Sequence, residues 1–385
     1  MKILITTSFY PPYYVGGDAT HCKALAEELV KKGHEVHVFF SEDAYNLKGP
    51  KIKIQGDKVD YRGVIPHKIK SPLGRLEPLL NYTLGTQYYT YKEFKKIVKK
   101  ENFDLIHHHN IWLLGHKLLR KIGSYKSIYT AHDYWLICPK SDLLRNKKIC
   151  HSNKGINCYT CCLSAKRPSL LSRLFGSFKR STKDIEKVIS PSKYLATKLK
   201  VIGGVKGIEV ISNFSQNISS NKPAEFEDYF LFVGRIEETK GVIPLIKSFT
   251  ELNKKLVLVG DGNLRSEVEK YSKEYKNIIF LGFCELERVY GLMKHANALI
   301  LPSQWPENNP MVIIESYMLG TPAIASNLGG NPELIEILDP SLVFVWNDFE
   351  SLKKIIKNYK KEKYKNIPRL DFHSYYLQYQ KLLDL

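Results

Sequence analysis

The residues best suited to chemistry lie in two stretches of the second half of the chain. In Leu301–Glu333, LPSQWPENNPMVIIESYMLGTPAIASNLGGNPE, Glu307 sits in a loop and Glu315 inside the helix that follows. They are too far apart in sequence for a dyad, and more naturally serve two separate hydroxyl groups of one sugar-containing ligand. Upstream, Tyr229–Arg235, YFLFVGR, delivers Arg235 into a loop, and Lys240 follows just before a helix. Two cations at the mouth of a strand-to-helix turn are what a diphosphate leaving group needs. Each neutralises charge that grows on the β-phosphate as a glycosidic bond breaks. Diphosphate between, with hydroxyls at both ends, describes a nucleotide sugar.

Strand ends and helix starts must position these side chains. Ala298–Leu301 reads as the end of a buried strand. Asn308-Asn309-Pro310 carries helix-start chemistry, with proline suited to the first turn. Met311–Leu319 continues as an amphipathic helix, and Gly320-Thr321-Pro322 stops it. A helix opening just after a strand offers unpaired N–H groups and a positive dipole end to a phosphate, which brings Asn309, Pro310 and Met311 into the site.

The first half opens with the strand KILITT, the turn SFYPPYYVGG and a helix from Asp18 that Gly33 closes, then the strand HEVHVFF. That is the start of a Rossmann-like unit, but without G-x-G-x-x-G, so a dinucleotide site is not expected. Further strands are expected at 103–109, 127–133, 188–192, 208–213, 256–262 and 277–283, and at AIAS after Pro322. Helices are expected at 79–99, 111–121, 193–200 and 372–383, with 43–78 irregular. His107-His108-His109 invites a metal reading, but adjacent strand residues point to opposite faces and do not converge.

Glu307-x7-Glu315 with GTPAIAS and GG resembles the donor-site signature of retaining glycosyltransferases of family 4. FVGRIEETKGV and TAHDYWLICP resemble that family's donor-phosphate and cleft motifs, and the likeness spans nearly the whole chain. The resemblance implies an α/β fold of GT-B type: two Rossmann-like doubly wound domains facing each other across a cleft, the C-terminal helix crossing back to the first. The domains would be 1–215, on the acceptor side and carrying a Cys-rich insertion at 138–162, and 216–365, for the donor, with 366–385 returning to the first. It implies that Arg235 and Lys240 hold the donor phosphates, Glu307 the sugar hydroxyls and Glu315 the ribose. Gly16 and Gly17 would let the first loop approach donor phosphate and acceptor, His132 would hydrogen-bond the donor sugar or the developing charge, and Phe283 and Cys284 would neighbour the base. The implied reaction moves a sugar from a UDP- or GDP-linked donor to an acceptor hydroxyl of a glycan or lipid-linked saccharide, in cell-surface polysaccharide or glycoconjugate synthesis. With no DxD-type metal site and no evident nucleophile, no catalytic cofactor is expected, and attack comes on the face the leaving group departs from. Asn308-Asn309-Pro310 replaces the family's usual Phe-Gly, so the donor sugar does not follow from the likeness. The competing readings are another GT-B enzyme, an epimerase or phosphorylase, and a basic nucleic-acid-binding protein.

The chain has 385 residues, 43% hydrophobic and 25% charged, an ordinary globular composition for about two domains. No run approaches a membrane span and the start does not read as a secretory leader, so a cytoplasmic protein is expected. The net charge of +19 favours an anionic partner, and Arg167–Lys183 adds cations to an apolar stripe of Leu170, Leu171, Leu174, Phe175 and Phe178. That segment reads either as an interfacial helix on an anionic membrane or as a packed helix with a solvated basic face. No finger, helix-turn-helix or RNA-binding pattern supports nucleic acid. Five of the seven cysteines, Cys138, Cys150, Cys158, Cys161 and Cys162, fall within 25 residues. Cys158-x2-Cys161 has the gap of a zinc half-site, and Cys138 with Cys150 would complete a structural Zn site, against reduced or redox-paired thiols.

Overall fold

The structure, a computed structural model, describes residues 1–13, 16–49, 60–85, 88–146, 148–151, 155–167 and 171–383. The apolar runs of the sequence become parallel strands, as near-continuous hydrophobic segments do when both faces are covered. In chain order the first half carries β1 (Lys2–Thr6), β2 (Glu35–Ser41), β3 (Ile65–Ile69), β4 (Leu105–His108), β5 (Lys126–Thr130), the small antiparallel pair β6 (Leu144–Arg145) and β7 (Lys148–Ile149), then β8 (Lys187–Ser190) and β9 (Ile208–Val210). Seven of these form one sheet in the order β3-β2-β1-β4-β5-β8-β9. The second half carries β10 (Tyr229–Val233), β11 (Lys255–Val259), β12 (Ile278–Gly282), β13 (Leu299–Leu301), β14 (Ala323–Ser326) and β15 (Val343–Phe344), in the order β12-β11-β10-β13-β14-β15.

Both sheets reverse their winding beside the first strand: between β1 and β4 in one, between β10 and β13 in the other. Open α/β sheets bind ligands outside the carboxyl ends of the strands at such a switch point. Register fixes what arrives there, since Thr6 pairs with His108 and Leu231 with Leu299. Leu231, Phe232, Leu258, Ile300, Ile313 and Ile314 form part of one fully buried core that holds the second sheet to its helices.

The chain divides into two compact units, Met1–Pro191 with Leu195–Ile211 and Tyr379–Leu385, and Ser192–Tyr194 with Ser212–Gln378. The final helix is Phe372–Leu383, and only its end groups with the first unit. There the Tyr379 hydroxyl meets His107 Nδ1 at 3.0 Å, and Lys126 Nζ donates to the Leu383 carbonyl. Among the described residues no helix is long and apolar enough to cross a membrane.

Several expected elements differ. The segment 79–99 is two helices, Leu76–Leu84 and Tyr88–Glu101, because Gly85 takes a left-handed conformation, φ 67°, after the first. Residues 111–121 form turns and a short 3-10 helix, His116–Leu119, not an α-helix. The region 43–78 is not wholly irregular: it holds the end of the helix Glu42–Lys48, capped by Ser41, the edge strand β3 and the start of Leu76–Leu84. Arg167–Lys183 is not one amphipathic helix. Gly176, φ 69°, separates Leu171–Leu174 from Ser177–Ser181. Phe178 is buried, Leu174 and Phe175 are exposed, and Leu170 lies outside the described residues. Arg173 turns inward to the carbonyls of Trp135 and Leu136, which removes it from the expected cationic face.

Candidate active site

In the second unit the switch point gathers side chains from three loops. After β10 the chain makes a 3-10 turn, Glu238–Lys240, and Gly241 in a left-handed conformation starts the helix Val242–Thr250. After β13 come Ser303, Trp305 and Glu307. The Lys240 ammonium meets Glu307 Oε1 at 2.5 Å, and Ser303 Oγ donates to the same oxygen at 2.7 Å. Lys240 Nζ also stands 5.6 Å from the centre of the Trp305 ring. Glu307 is 7% exposed. Burial opposes its ionisation, but Lys240 and the Ser303 hydroxyl outweigh burial and hold the carboxyl below the usual range.

The third loop follows β14. Ser326 Oγ donates to the Ser303 carbonyl at 2.7 Å, and the Gly330 N–H to the Glu307 carbonyl at 2.7 Å. Gly329, φ 68°, bridges to Glu307 so closely that a Cβ there would lie 1.9 Å from the Glu307 oxygen. The two glycines of the GG pair therefore let one backbone press on another, fixing where the Glu307 carboxylate sits.

Glu315 lies in the helix Met311–Met318, whose N-cap is Pro310 with no side-chain cap; the Ile313 N–H donates to the Pro310 carbonyl at 3.1 Å, which leaves the N–H groups of Met311 and Val312 as the first-turn donors. The Asn309 side chain is turned away from that role: its Oδ1 accepts from the Asn213 N–H at 2.9 Å and its amide group pairs with Ser212 Oγ. Only the Asn309 backbone is left to serve a phosphate. The Glu315 carboxyl is half-buried, and among the described residues none hydrogen-bonds it; burial pushes it up to about 7. Arg235 is exposed and folded onto Glu237 Oε1 at 2.9 Å, so it does not join Lys240 and Glu307. Phe283 is 70% exposed in the loop after β12, while Cys284 is buried with its thiol 3.9 Å from the Gly282 carbonyl.

In the first unit a buried histidine cluster occupies the carboxyl ends of β1, β4 and β5. His132 Nε2 and His109 Nδ1 are 2.8 Å apart, one donating to the other. His21, on the helix Gly17–Lys31, has its ring 5.2 Å from that of His132. The alternation of strand faces sends His108 to Thr6 on one side and sets His107 against His109, ring centres 4.0 Å apart and tilted by 39°, on the other. The expected divergence thus holds for neighbours, yet His21, His109 and His132 bring ligand atoms within 4.8 Å of one another from three separate elements. Burial drives the pKa of His132 down to about 4, so its imidazole is neutral near pH 7 and can either donate or accept.

Gly16, φ 84°, precedes this helix and Gly17 begins it. Asp18 in its first turn accepts from Asn110 Nδ2 at 2.5 Å, and burial raises its pKa. Asp133 accepts from the Trp135 N–H at 2.7 Å and is pushed up to about 7, by burial first and by the Asp18 charge among lesser causes. Sequence reasoning missed Ser303, Asp18, Asn110 and His21. Asp18 directly follows the GG pair and His21 lies one helical turn on, a spacing that would have placed both on one face.

The glycosyltransferase family 4 description matches residues 15–214 and the glycosyl transferases group 1 description matches residues 213–372. An uncharacterised glycosyltransferase of Methanocaldococcus jannaschii is 26% identical over 90% of this chain and 85% of its own length. A Campylobacter jejuni enzyme, the alpha-1,4-N-acetyl-D-galactosaminyltransferase acting on GalNAc-alpha-(1->4)-GalNAc-alpha-(1->3)-diNAcBac-PP-undecaprenol, is 31% identical over 175 residues, 41% of this chain and 48% of the relative. Among solved structures, Anabaena HepE in complex with UDP superposes with a TM-score of 0.64 at 18% identity, covering 100% of both chains.

Proposed function

Because the chain belongs to glycosyltransferase family 4 and has the GT-B fold, we propose that this glycosyltransferase acts with retention of configuration on a UDP- or GDP-linked donor and a glycan or lipid-linked acceptor. The observation that carries the reading is the buried Glu307 carboxylate paired with the half-buried Lys240 and Ser303, set beside a helix start at the switch point. Such a pair is costly to bury for stability alone. Lys240 has three protons, and with one on Glu307 the others are free to meet the β-phosphate as its bond to the sugar C1 breaks. The uncapped N-terminus of Met311–Met318 adds backbone donors to the same charge. Arg235 reaches the phosphates once it leaves Glu237. Glu307 accepts from sugar hydroxyls and Glu315 from the ribose.

In this reading the acceptor oxygen forms its bond to C1 on the face from which the diphosphate leaves, and its proton passes to the departing phosphate oxygen. In the first unit we assign His132, held by His109, to hydrogen-bonding the donor sugar. The complex of HepE with UDP and the undecaprenol-linked substrate named for the Campylobacter relative support a nucleotide-diphosphate donor and a lipid-linked or glycan acceptor.

The Glu315 carboxyl gives this reading a test. Ribose hydroxyls need the ionised form, and a group raised to about 7 is protonated below that pH. Nucleotide affinity should fall about tenfold per pH unit below 7 and level off above it. In Glu315→Gln this step should be missing. The nucleotide's own phosphate ionisation, near pH 6, acts on both proteins, so the difference between them is the readout. Calorimetric titration of UDP and GDP from pH 5.5 to 8.5 decides; identical pH profiles for the two proteins would remove Glu315 from the site.

A further inference from the structure

Five cysteines take no part in the site above, yet they come together. Cys138, Cys150, Cys158, Cys161 and Cys162 all line one cavity of about 20 Å³, room for a single ion or water. Among the described residues between Leu144 and Ser164, most are half-buried or exposed. The hairpin, β6 and β7, has two residues per strand, and in the helix Gly155–Ser164 the buried residue is Cys162. An isolated hairpin of that size is not stable in water, and small apolar-poor segments are commonly cross-linked by a metal.

The thiols arrive as two pairs from different elements. Cys138 and Cys150 flank the hairpin, and the Cys150 N–H closes it on the Leu143 carbonyl at 2.7 Å. Cys158 and Cys161 stand one turn apart on the helix, with Cys162 on the same face. A pair from a hairpin and a two-residue-gap pair from a helix is ligand spacing for tetrahedral zinc. Charge agrees. Four thiolates around Zn²⁺ carry a net charge of −2, and Arg173, whose charge acts on Cys138, Cys158 and Cys162, offsets part of it.

Two other groups stand closer. Among the described residues, the triads with ligand atoms within 4.8 Å of one another are His21, His109, His132 and Glu35, His37, Glu101, while the thiols surround their cavity at longer range. In the histidine triad, however, His109 and His132 already hydrogen-bond each other, and in the other Lys2 forms ion pairs with both carboxylates.

We propose that Cys138, Cys150, Cys158 and Cys161 hold one structural Zn²⁺ ion that ties the hairpin to the helix, with Cys162 as a fifth thiol on the same cavity. Ion binding releases the thiol protons and draws the side chains together.

The full chain, purified in reductant without chelator, should contain equimolar zinc by mass spectrometry. Cobalt exchange should give tetrahedral ligand-field bands with sulfur-to-cobalt charge transfer. Cys158→Ser/Cys161→Ser should lose the metal, and Cys22→Ser/Cys284→Ser should keep it. Because the first variant can fail to fold, the cobalt spectrum of the unaltered protein stands as the independent readout. Zinc-free protein whose melting point ignores both added zinc and EDTA would overturn the proposal. So would iron with acid-labile sulfide in place of zinc, or metal retained in the Cys158→Ser/Cys161→Ser variant.

Discussion

Lys240→Ala should lower kcat/KM by about 10²–10³, the scale of removing one preorganised group that meets developing charge. It should also destabilise the protein by about 3–5 kcal/mol, because the Glu307 carboxylate would stay buried without its cation. The two effects separate in Lys240→Ala/Glu307→Gln, which removes the orphaned charge. That double variant should recover much of the stability and none of the activity. The pH dependence should change sign. In the unaltered protein the folded-state pKa of Glu307 is depressed, so the pair contributes stability above the unfolded carboxyl value, about 4.3, and loses it as pH falls further. Without Lys240 the burial that opposes ionisation prevails and the folded pKa is raised. Stability should then decline as pH rises above about 4.3. Urea unfolding across pH with parallel donor-turnover assays reads both effects. Full stability and full activity in Lys240→Ala would show the pair to be incidental.

Gly329→Ala should cost activity out of proportion to the single methyl it adds. Its Cβ would lie 1.9 Å from the Glu307 carbonyl oxygen, 2.6 Å from the Glu307 nitrogen and 2.8 Å from the Pro306 carbonyl carbon. All three are backbone atoms and cannot swing aside, so the loop bearing Glu307 must move. A displacement of about 1 Å at a positioning element can cost about 10² in rate. The left-handed φ of 68° adds a conformational cost of about 1–2 kcal/mol. Gly320→Ala is the control, since Gly320 has a similar φ, 76°, with nothing within 4 Å of its Cβ position. Gly320→Ala should lose stability alone, whereas Gly329→Ala should lose activity as well. Equal activity in both variants would show that the close approach at Gly329 does not position Glu307.

Much of the fold was legible because parallel strands covered on both faces write themselves as unbroken apolar runs. KILITT, YFLFVGR and AIAS contain the strands found, HEVHVFF covers all but the last residue of Glu35–Ser41, and the last helix begins at Phe372 as its pattern implied. Breaks inside polar helical sequence were not legible. Leu76–Glu101 has helical composition throughout, and only the left-handed Gly85 ends the first helix. Nor could spacing alone reveal contacts between loops. Lys240 and Glu307 are 67 residues apart and His109 and His132 are 23, so each pairing depends on which strands lie side by side. Arg235 and Lys240 share a motif, yet the turn at Glu237 sends one to the surface and the other inward. Asn309 was legible as part of a helix start, whereas the capture of its side chain by Ser212 and Asn213 needed the fold.

The most direct test is proton NMR of the protein incubated with UDP- and GDP-linked α-hexoses, with water taking the glycosyl group where no glycan acceptor is added, following the anomeric signal of the sugar produced. The account predicts that donors of one nucleotide are consumed, with the nucleoside diphosphate released and the α-anomer appearing first. A β-anomer appearing first would contradict retention. If no nucleotide donor were bound or consumed, the assignment of Lys240, Glu307 and Glu315 to a donor site would fall.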